Sequence, residues 1–227
     1  MISVVIPTLN VEHHLARTLA ALVPAALDGL VREVIVVDGG SDDGSLQVAD
    51  DAGCTIVRAQ RGRGTQLAAG AAVAKGEWLL FLHADTVLDE DWVEAAGRFI
   101  CAAGHAGGQA AAFRFALDAD GILPRLLEGA VRLRCAMLAL PYGDQGLLIP
   151  RSLYDELGGF SPIPLMEDVD LVRRIGRRRL HMLQARATTS AERYRRDGII
   201  RRTLRNLVCL SLYYAGVSPD RIVRLYG

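Results

Sequence analysis

Lysine is almost missing from this chain: Lys75 is the only one, and the other 25 of its 26 basic residues are arginines. No G-x-x-x-x-G-K-[ST] stretch occurs, and no G-x-G-x-x-G follows the first predicted strand, which argues against phosphate-loop NTPases and dinucleotide-dependent dehydrogenases. Cysteine is scarce too. Cys54, Cys101, Cys135 and Cys209 lie far apart with no C-x-x-C pair, so neither a zinc site nor a disulfide framework is indicated, and a reducing cytoplasm fits. Long apolar runs are absent, because the longest uncharged C-terminal stretch, Asn206 to Pro219, is too short and too polar to span a bilayer. No basic segment precedes an apolar one at the start, where Ile2 already opens a strand. A soluble or peripheral, cytoplasmic protein without a secretory leader is expected. No internal repeat, low-complexity tract or linker is seen.

What is present points to one sizeable core. With 51% hydrophobic and 23% charged residues, 227 residues suit one domain with a C-terminal extension better than two full domains. The net charge of zero conceals a division: residues 1–120 hold 16 acids and 8 bases, and residues 121–227 hold 10 acids and 18 bases. Such a basic half fits either an anionic partner or a solvated arginine face. Nucleic acid is not an expected partner.

Taken in order, Ile2 to Pro7 is a short β-branched strand, and Leu15, Leu19 and Leu22 mark a helix from Glu12 to about Leu22. Val34 to Val37 is a buried strand running into Asp38-Gly39-Gly40-Ser41-Asp42-Asp43-Gly44-Ser45 and a helix through Asp51. Cys54 to Ala59 gives a third strand. A helix from Thr65 to Lys75 follows, its alanines and Gly70 allowing close approach to a sheet. Glu77 to Leu82, with five successive apolar residues after Gly76 and Glu77, is then a strand buried on both faces. This strand and helix alternation implies a parallel sheet with right-handed crossovers. Trp92, Ala95, Ala96, Phe99 and Ile100 make a helical stripe. After Gly107-Gly108, alternation of Ala111, Phe113, Phe115 and Leu117 predicts a half-buried, antiparallel strand. A helix from about Ile122 to Leu140, a strand Leu147 to Ile149, a short helix capped by Ser152, a helix from Glu167-Asp168, a strand Leu180 to Ala187 and a helix-rich, arginine-rich stretch over Ser190 to Ala215 complete the pattern.

Three strand ends carry polar loops: Pro7-Thr8-Leu9-Asn10, Asp38-Gly39-Gly40-Ser41 and His83-Ala84-Asp85. In one parallel sheet they would share an edge and form a crevice, where open α/β folds bind nucleotides. Asp38 could accept from a base or a ribose hydroxyl, and Asp85 could hold a divalent cation against a phosphate. Each has a plainer reading. Asp38-Gly39-Gly40-Ser41 also makes an ordinary turn, and Asp85 or Thr86 could cap a helix beginning near Asp89.

Together, Val4-Val5-Ile6-Pro7-Thr8-Leu9-Asn10, Val36 to Ser45, Phe81-Leu82-His83-Ala84-Asp85-Thr86, Gly158-Gly159-Phe160 and Met166-Glu167-Asp168-Val169-Asp170-Leu171 resemble the ordered motifs of family 2 glycosyltransferases. The likeness spans roughly residues 1–190. It is greatest to the small stand-alone branch often associated with radical-SAM and selenium-related proteins, which carries the H-A-D-T and Y-G-D-Q-G forms. The resemblance implies an α/β GT-A fold, Rossmann-like and of the spore-coat-polysaccharide-synthase type, with a mostly parallel central sheet, flanking helices and a helical C-terminal extension. Residues 1–88 would form a nucleotide-binding half, residues 89–190 an acceptor half, and residues 191–227 an Arg-rich extension. It implies a metal-dependent, inverting enzyme that moves a hexose from a nucleoside-diphosphate sugar, with UDP-hexose the expected donor, to an unidentified acceptor. Pro7, Thr8 and Asn10 would lie against the nucleoside, and Asp38 against the uracil edge. Ala84 and Asp85 would stand at the donor diphosphate, with Asp85 on Mn²⁺ or Mg²⁺. Asp168, next to Glu167, would be the general base. His83 stands where the family has the first aspartate of Asp-x-Asp, so one metal-site carboxylate is missing.

Elementary chemistry asks for the same groups. Departure of a nucleoside diphosphate builds negative charge that a cation and arginines such as Arg61 and Arg63 can stabilise. The attacking hydroxyl must lose a proton, for which Asp168 is suited, and direct attack assisted by one base gives inversion. Other readings stay open. Glu167 and Asp168 could be helix caps, Asp144 and Gln145 either contacts to donor sugar or acceptor or a plain turn, and Arg61 and Arg63 solvated. His83 could ligate metal, touch ribose or fill the site. His13, His14, His105 and His181 show no ligand spacing. The arginine-rich helix could lie on an anionic membrane, close over the donor phosphates, or pack on the domain or on a second subunit. A sugar nucleotidyltransferase and a non-catalytic nucleotide-binding or membrane-associated module are the rival functions.

Overall fold

In a computed structural model of the chain, residues 1–104 and 108–226 are described. His105 and Gly107 lie outside the described residues. Eight strands form one sheet in the order β3-β2-β1-β4-β7-β6-β8-β5. β1 (Ile2–Thr8) pairs in parallel with β2 (Val31–Asp38) on one side and β4 (Trp78–Phe81) on the other, and β2 pairs in parallel with β3 (Thr55–Arg58). These four strands come from the β-branched and leucine-rich runs of the N-terminal half, and they are parallel as expected.

Side chains alternate between two buried faces, as the strand period of two requires. Val5, Ile35, Val37, Leu79 and Phe81 enter one core, and Val4, Ile6, Val36, Trp78 and Leu80 the other. On the second face lie α1 (Glu12–Ala20), through Leu15 and Leu19, and α5 (Trp92–Ala103), through Trp92 and Ala96; between them in sequence come the short helices α2 (Val23–Leu27) and α3 (Ser45–Asp51). On the first face lies α4 (Arg63–Val73), through Leu67 and Ala71.

Beyond β4 the direction reverses. β7 (Leu147–Pro150) runs antiparallel to β4, with Leu147 opposite Phe81, and β6 (Ala110–Asp118) antiparallel to β7. β8 (Leu180–Ser190) is parallel to β6, and the short β5 (Thr86–Leu88) closes the edge antiparallel to β8. The expected half-buried β6 is therefore corrected: it is an interior strand, buried on both faces except at Arg114 and Asp118, because β7 and β8 flank it and its outward positions are mostly alanines. Asp85 and Thr86 cap no helix, since Thr86 opens β5 and α5 starts only at Trp92. α4 begins at Arg63, two residues before the expected start, and β8 extends to Ser190.

The remaining helices are α6 (Ile122–Leu138), α7 (Arg151–Glu156), α8 (Glu167–Ile175), α9 (Glu192–Asp197), α10 (Ile199–Tyr214) and α11 (Pro219–Tyr226). Pro150, not Ser152, precedes α7. The arginine-rich stretch is helical as expected and forms α9 and α10, separated at Gly198, whose φ of 81° lies in the left-handed region that favours glycine. Cys209 and Leu210 of α10 and Ile222 of α11 sit in the same core as Val5 and Val169, so the C-terminal helices are part of the packed body. Among the described residues no helix is long and apolar enough to cross a membrane.

Gly70 is where α4 comes nearest the sheet. A Cβ there would lie 2.4 Å from Val5 Cγ1 and 2.8 Å from Val37 Cγ2. Gly70→Ala is expected to destabilise the fold by about 1–3 kcal/mol despite alanine's better helix propensity, because overpacking outweighs it. Urea unfolding measures this, and a neutral or stabilising outcome would show that α4 can lift off β1 and β2.

Candidate active site

The loops leaving β1 and β2 are welded together by hydrogen bonds that only their folded proximity allows. Thr8 donates through Oγ1 to the Val37 carbonyl, and Asp38 accepts on its carboxylate from the N–H groups of Gly40 and Ser41 at 2.9–3.2 Å. Asn10, at φ 52°, accepts from the Asp42 N–H on Oδ1 and donates its own N–H to Ser41 Oγ. Buried Gln66 on α4 donates to the carbonyls of Thr8 and Val37 at 2.9 and 2.7 Å and accepts from Gly62 N–H. That residue was not predicted; its one signal was a lone amide in an alanine-rich helix.

Pro7, Thr8, Arg61, Arg63, His83, Ala84 and Asp85 line one cleft, with about 810 Å³ of space partly open to solvent. Asn10 and Asp38 are not on its wall. Asp38 is only 3% exposed, and both it and Asn10 shape the turn behind the cleft.

A second cleft, of about 770 Å³, shares Arg63, His83, Asp85 and Arg193 with the first and continues past Tyr142, Asp144, Glu167 and Asp168. Antiparallel β7 brings the 141–146 segment here, beside the end of β4. Gly143 N–H donates to Asp168 Oδ2 at 2.6 Å, and Asp168 Oδ1 accepts from Val169 N–H. A Cβ on Gly143 would meet His83 Nε2 at 2.6 Å, so the glycine is what lets the turn, the imidazole and the carboxylate converge. Met166 precedes α8 at φ 67°, a left-handed conformation costing a non-glycine residue on the order of 1 kcal/mol. That turn presents Glu167 and Asp168 side by side at the helix start. Glu167, 1% exposed, lies 3.8 Å from Arg63.

From the far side β8 ends against the third loop, where Ser190 N–H donates to the Asp85 carbonyl. α9 then carries Arg193 to 3.6 Å from Asp85 Oδ2. Arg193 was visible in the sequence only as one of an arginine run, since its place depends on where β8 stops. Gln145, for which a sugar contact and a plain turn were both open, falls outside both clefts: it is 1% exposed, its Nε2 donates to the Phe113 carbonyl, and its Oε1 accepts from the Arg134 guanidinium and the Tyr142 N–H. Asp144 does line the second cleft. Among the other histidines, His14 pairs with Glu192 at 2.8 Å and His181 packs on Phe99.

Burial sets the electrostatics. It pushes the Glu167 carboxyl up to about 7, against the pull of Arg63 and with added repulsion from Asp168. It pushes Asp144 up to about 6, against Arg134, with Asp168 and Asp85 adding to the rise. It also drives the His83 imidazole down to about 4, helped by Arg63 and Arg193 and opposed by Asp85 and Asp168, so this ring is neutral at pH 7. Among the described residues no cluster of three or more His, Cys, Asp or Glu side chains is placed to hold a metal ion. Asp85 and a neutral His83 offer at most a partial ligand set. Such a set fits a divalent cation whose remaining ligands are phosphate oxygens and water, the usual habit of magnesium-like ions.

The model of Glycosyl transferase family 2 matches residues 3–132. Curated relatives named PGL/p-HBAD biosynthesis glycosyltransferase, from Mycobacterium bovis (strain BCG / Pasteur 1173P2) and Mycobacterium tuberculosis (strain ATCC 25177 / H37Ra), are 37% identical over a stretch covering 40% of this chain and 37% of theirs. The chain thus spans little more than a third of the length of the curated relatives it matches. Among solved structures, glucosyl-3-phosphoglycerate synthase from Mycobacterium tuberculosis, in complex with Mn²⁺, UDP-glucose and phosphoglyceric acid, superposes with a TM-score of 0.60 at 23% identity. The match covers 84% of this chain and 70% of that one. A structure described as a mycobacterial protein gives 0.58 at 26% identity, covering 84% and 65%. The fold is the curled, mostly parallel α/β sheet of GT-A glycosyltransferases.

Because the folded-state pKa of Glu167 is raised, stability present below its ordinary value of 4.5 is lost as the pH rises through about 7. Glu167→Gln is therefore expected to raise Tm at pH 8 by roughly 5 °C and to change it little at pH 5. Thermal melts at the two pH values check this. An equal effect at both would show that Glu167 does not titrate in that interval.

Proposed function

Since this chain belongs to glycosyl transferase family 2, we propose that it transfers a sugar from a nucleoside diphosphate to an acceptor hydroxyl, with a UDP-hexose as donor and inversion at the anomeric carbon. The observation that carries this reading is the pair of joined clefts. One is walled by the ends of β1 and β4 and by Arg61, the other by Asp168, and Arg63, His83, Asp85 and Arg193 lie on the shared wall.

The nucleoside would occupy the first cleft, over Pro7 and Thr8, with the Asp38 turn behind it. The diphosphate would lie at the shared wall. There Arg61, Arg63 and Arg193 offer cationic groups to the charge that grows on the leaving phosphate. Mn²⁺ or Mg²⁺, if bound at Asp85 with His83 beside it, would supply further charge neutralisation; Mn²⁺ and UDP both occur in the solved relative. Neutral His83 avoids adding a second carboxylate beside Asp85. Asp168, fixed by the Gly143 N–H, takes the proton from the acceptor hydroxyl as it attacks. Glu167, buried against Arg63, holds the adjoining wall and positions that arginine. One base and one direct displacement give inversion.

The division into a nucleotide-binding half (residues 1–88), an acceptor half (residues 89–190) and an Arg-rich extension is kept in this reading, the extension adding Arg193 to the site. α10 turns Ile200, Leu204, Leu207 and Val208 outward, the surface that a peripheral membrane contact or a second copy would use. No observation favours a nucleotidyltransferase.

Asp168→Asn is expected to lower transfer by about 10³-fold, within the range for losing a general base, while UDP affinity changes by less than about threefold. Steady-state UDP release and calorimetric UDP titration measure the two. Retention of full turnover would remove Asp168 from the base role.

A further inference from the structure

The second cleft carries two lining oxygens that the reaction above does not use. Asp144 Oδ1, in the turn before β7, and Asn206 Oδ1, on α10, are both buried and have no hydrogen-bond partner among the described residues. Both line this cleft, together with Tyr142, Tyr194 and Arg202. Neither belongs to the segment that the family model matches, residues 3–132. A buried oxygen left without a donor is costly, and a native fold keeps one mostly where a ligand or water supplies the donor.

The charges here limit what that ligand is. Four carboxylic acids, Asp85, Asp144, Glu167 and Asp168, line the cleft. Of its three arginines, Arg63 and Arg193 stand on the wall shared with the first cleft, where the diphosphate is placed, and Arg202 faces Asp197 at 3.0 Å. Arg202 also lies over the Tyr194 ring. A second acidic group beside Asp144 would bring oxygen against oxygen in a desolvated space, whereas a hydroxyl brings the missing hydrogen.

We infer that the second cleft holds the acceptor subsite, and that it takes a neutral, hydroxyl-rich acceptor whose O–H groups donate to Asp144 Oδ1 and Asn206 Oδ1. The inference rests on the glycosyltransferase reading above and adds the acceptor's chemical class. It separates this chain from the solved relative, whose phosphoglyceric acid carries both a phosphate and a carboxylate. Asn206 is a specificity-determining residue in this account, and α10 forms a wall of the site.

The test uses the full chain saturated with UDP and Mn²⁺, and needs no turnover. Calorimetry first establishes UDP binding; its failure would overturn the nucleotide-sugar reading itself, and this inference would fall with it. With UDP bound, saturation-transfer NMR compares methyl β-D-glucopyranoside with 3-phosphoglycerate. The glycoside is expected to bind, to compete with any phosphoglycerate signal, and to lose at least tenfold in affinity in Asn206→Leu. Thermal melts of the free proteins guard against a trivial cause: replacing an unpartnered oxygen by an apolar group should leave Tm unchanged or higher. Tighter binding of 3-phosphoglycerate, no binding of the glycoside, unchanged glycoside affinity in the variant, or a Tm lowered by more than about 5 °C would each overturn the proposal.

Discussion

The antiparallel pairing of β7 with β4 is the constraint on which the site depends. A parallel strand in that place would deliver its preceding turn to the opposite edge of the sheet. With Leu147 opposite Phe81, the 141–146 segment instead arrives where β4 ends and His83 to Asp85 begin. The Gly143 N–H can then fix Asp168, and the left-handed Met166 can turn α8 toward the same point. β6 and β8 continue from β7, and β8 returns to the Asp85 carbonyl through Ser190. Four parallel strands thus provide one polar edge, and one reversal adds a second wall to it.

That wall is acidic and largely desolvated, which fixes the charge states at the cleft. Glu167 and Asp144 are pushed toward protonation by burial, and His83 is kept neutral. The arginines are paired across elements: Arg63 from α4 with Glu167 from α8, and Arg193 from α9 with Asp85 after β4. Such pairs hold four separate segments around one cavity.

Much of the frame was legible because it follows from local rules. The runs Val4 to Pro7, Val34 to Val37 and Leu79 to Phe81 are apolar strands between turn residues, and the polar residues at their ends had to share an edge once the strands were parallel. Gly70 was readable as a close approach. The misplaced elements have a common cause. β5 is three residues long and exists through its pairing with β8, and β6 looked half-buried because alanine does not reveal whether a face is covered. Gln145 looked like a ligand contact since a polar residue in a Gly-rich turn gives no sign of which way it faces; in fact it satisfies Phe113 and Arg134 inside the fold.

By itself the sequence determined the order of elements, the parallel N-terminal strands and the acids placed at strand ends and at a helix start, because periodicity, turn chemistry and motif order are local properties. Only the tertiary structure decided which of those polar groups meet. Asp38 turns into its own loop, Arg193 reaches Asp85 from 108 residues away along the chain. Asn206 and Asp144 share one cavity though α10 and the 143–145 turn have no common pattern. Those meetings depend on strand direction, on where β8 ends and on how α10 packs against the core, none of which any window of neighbouring residues contains.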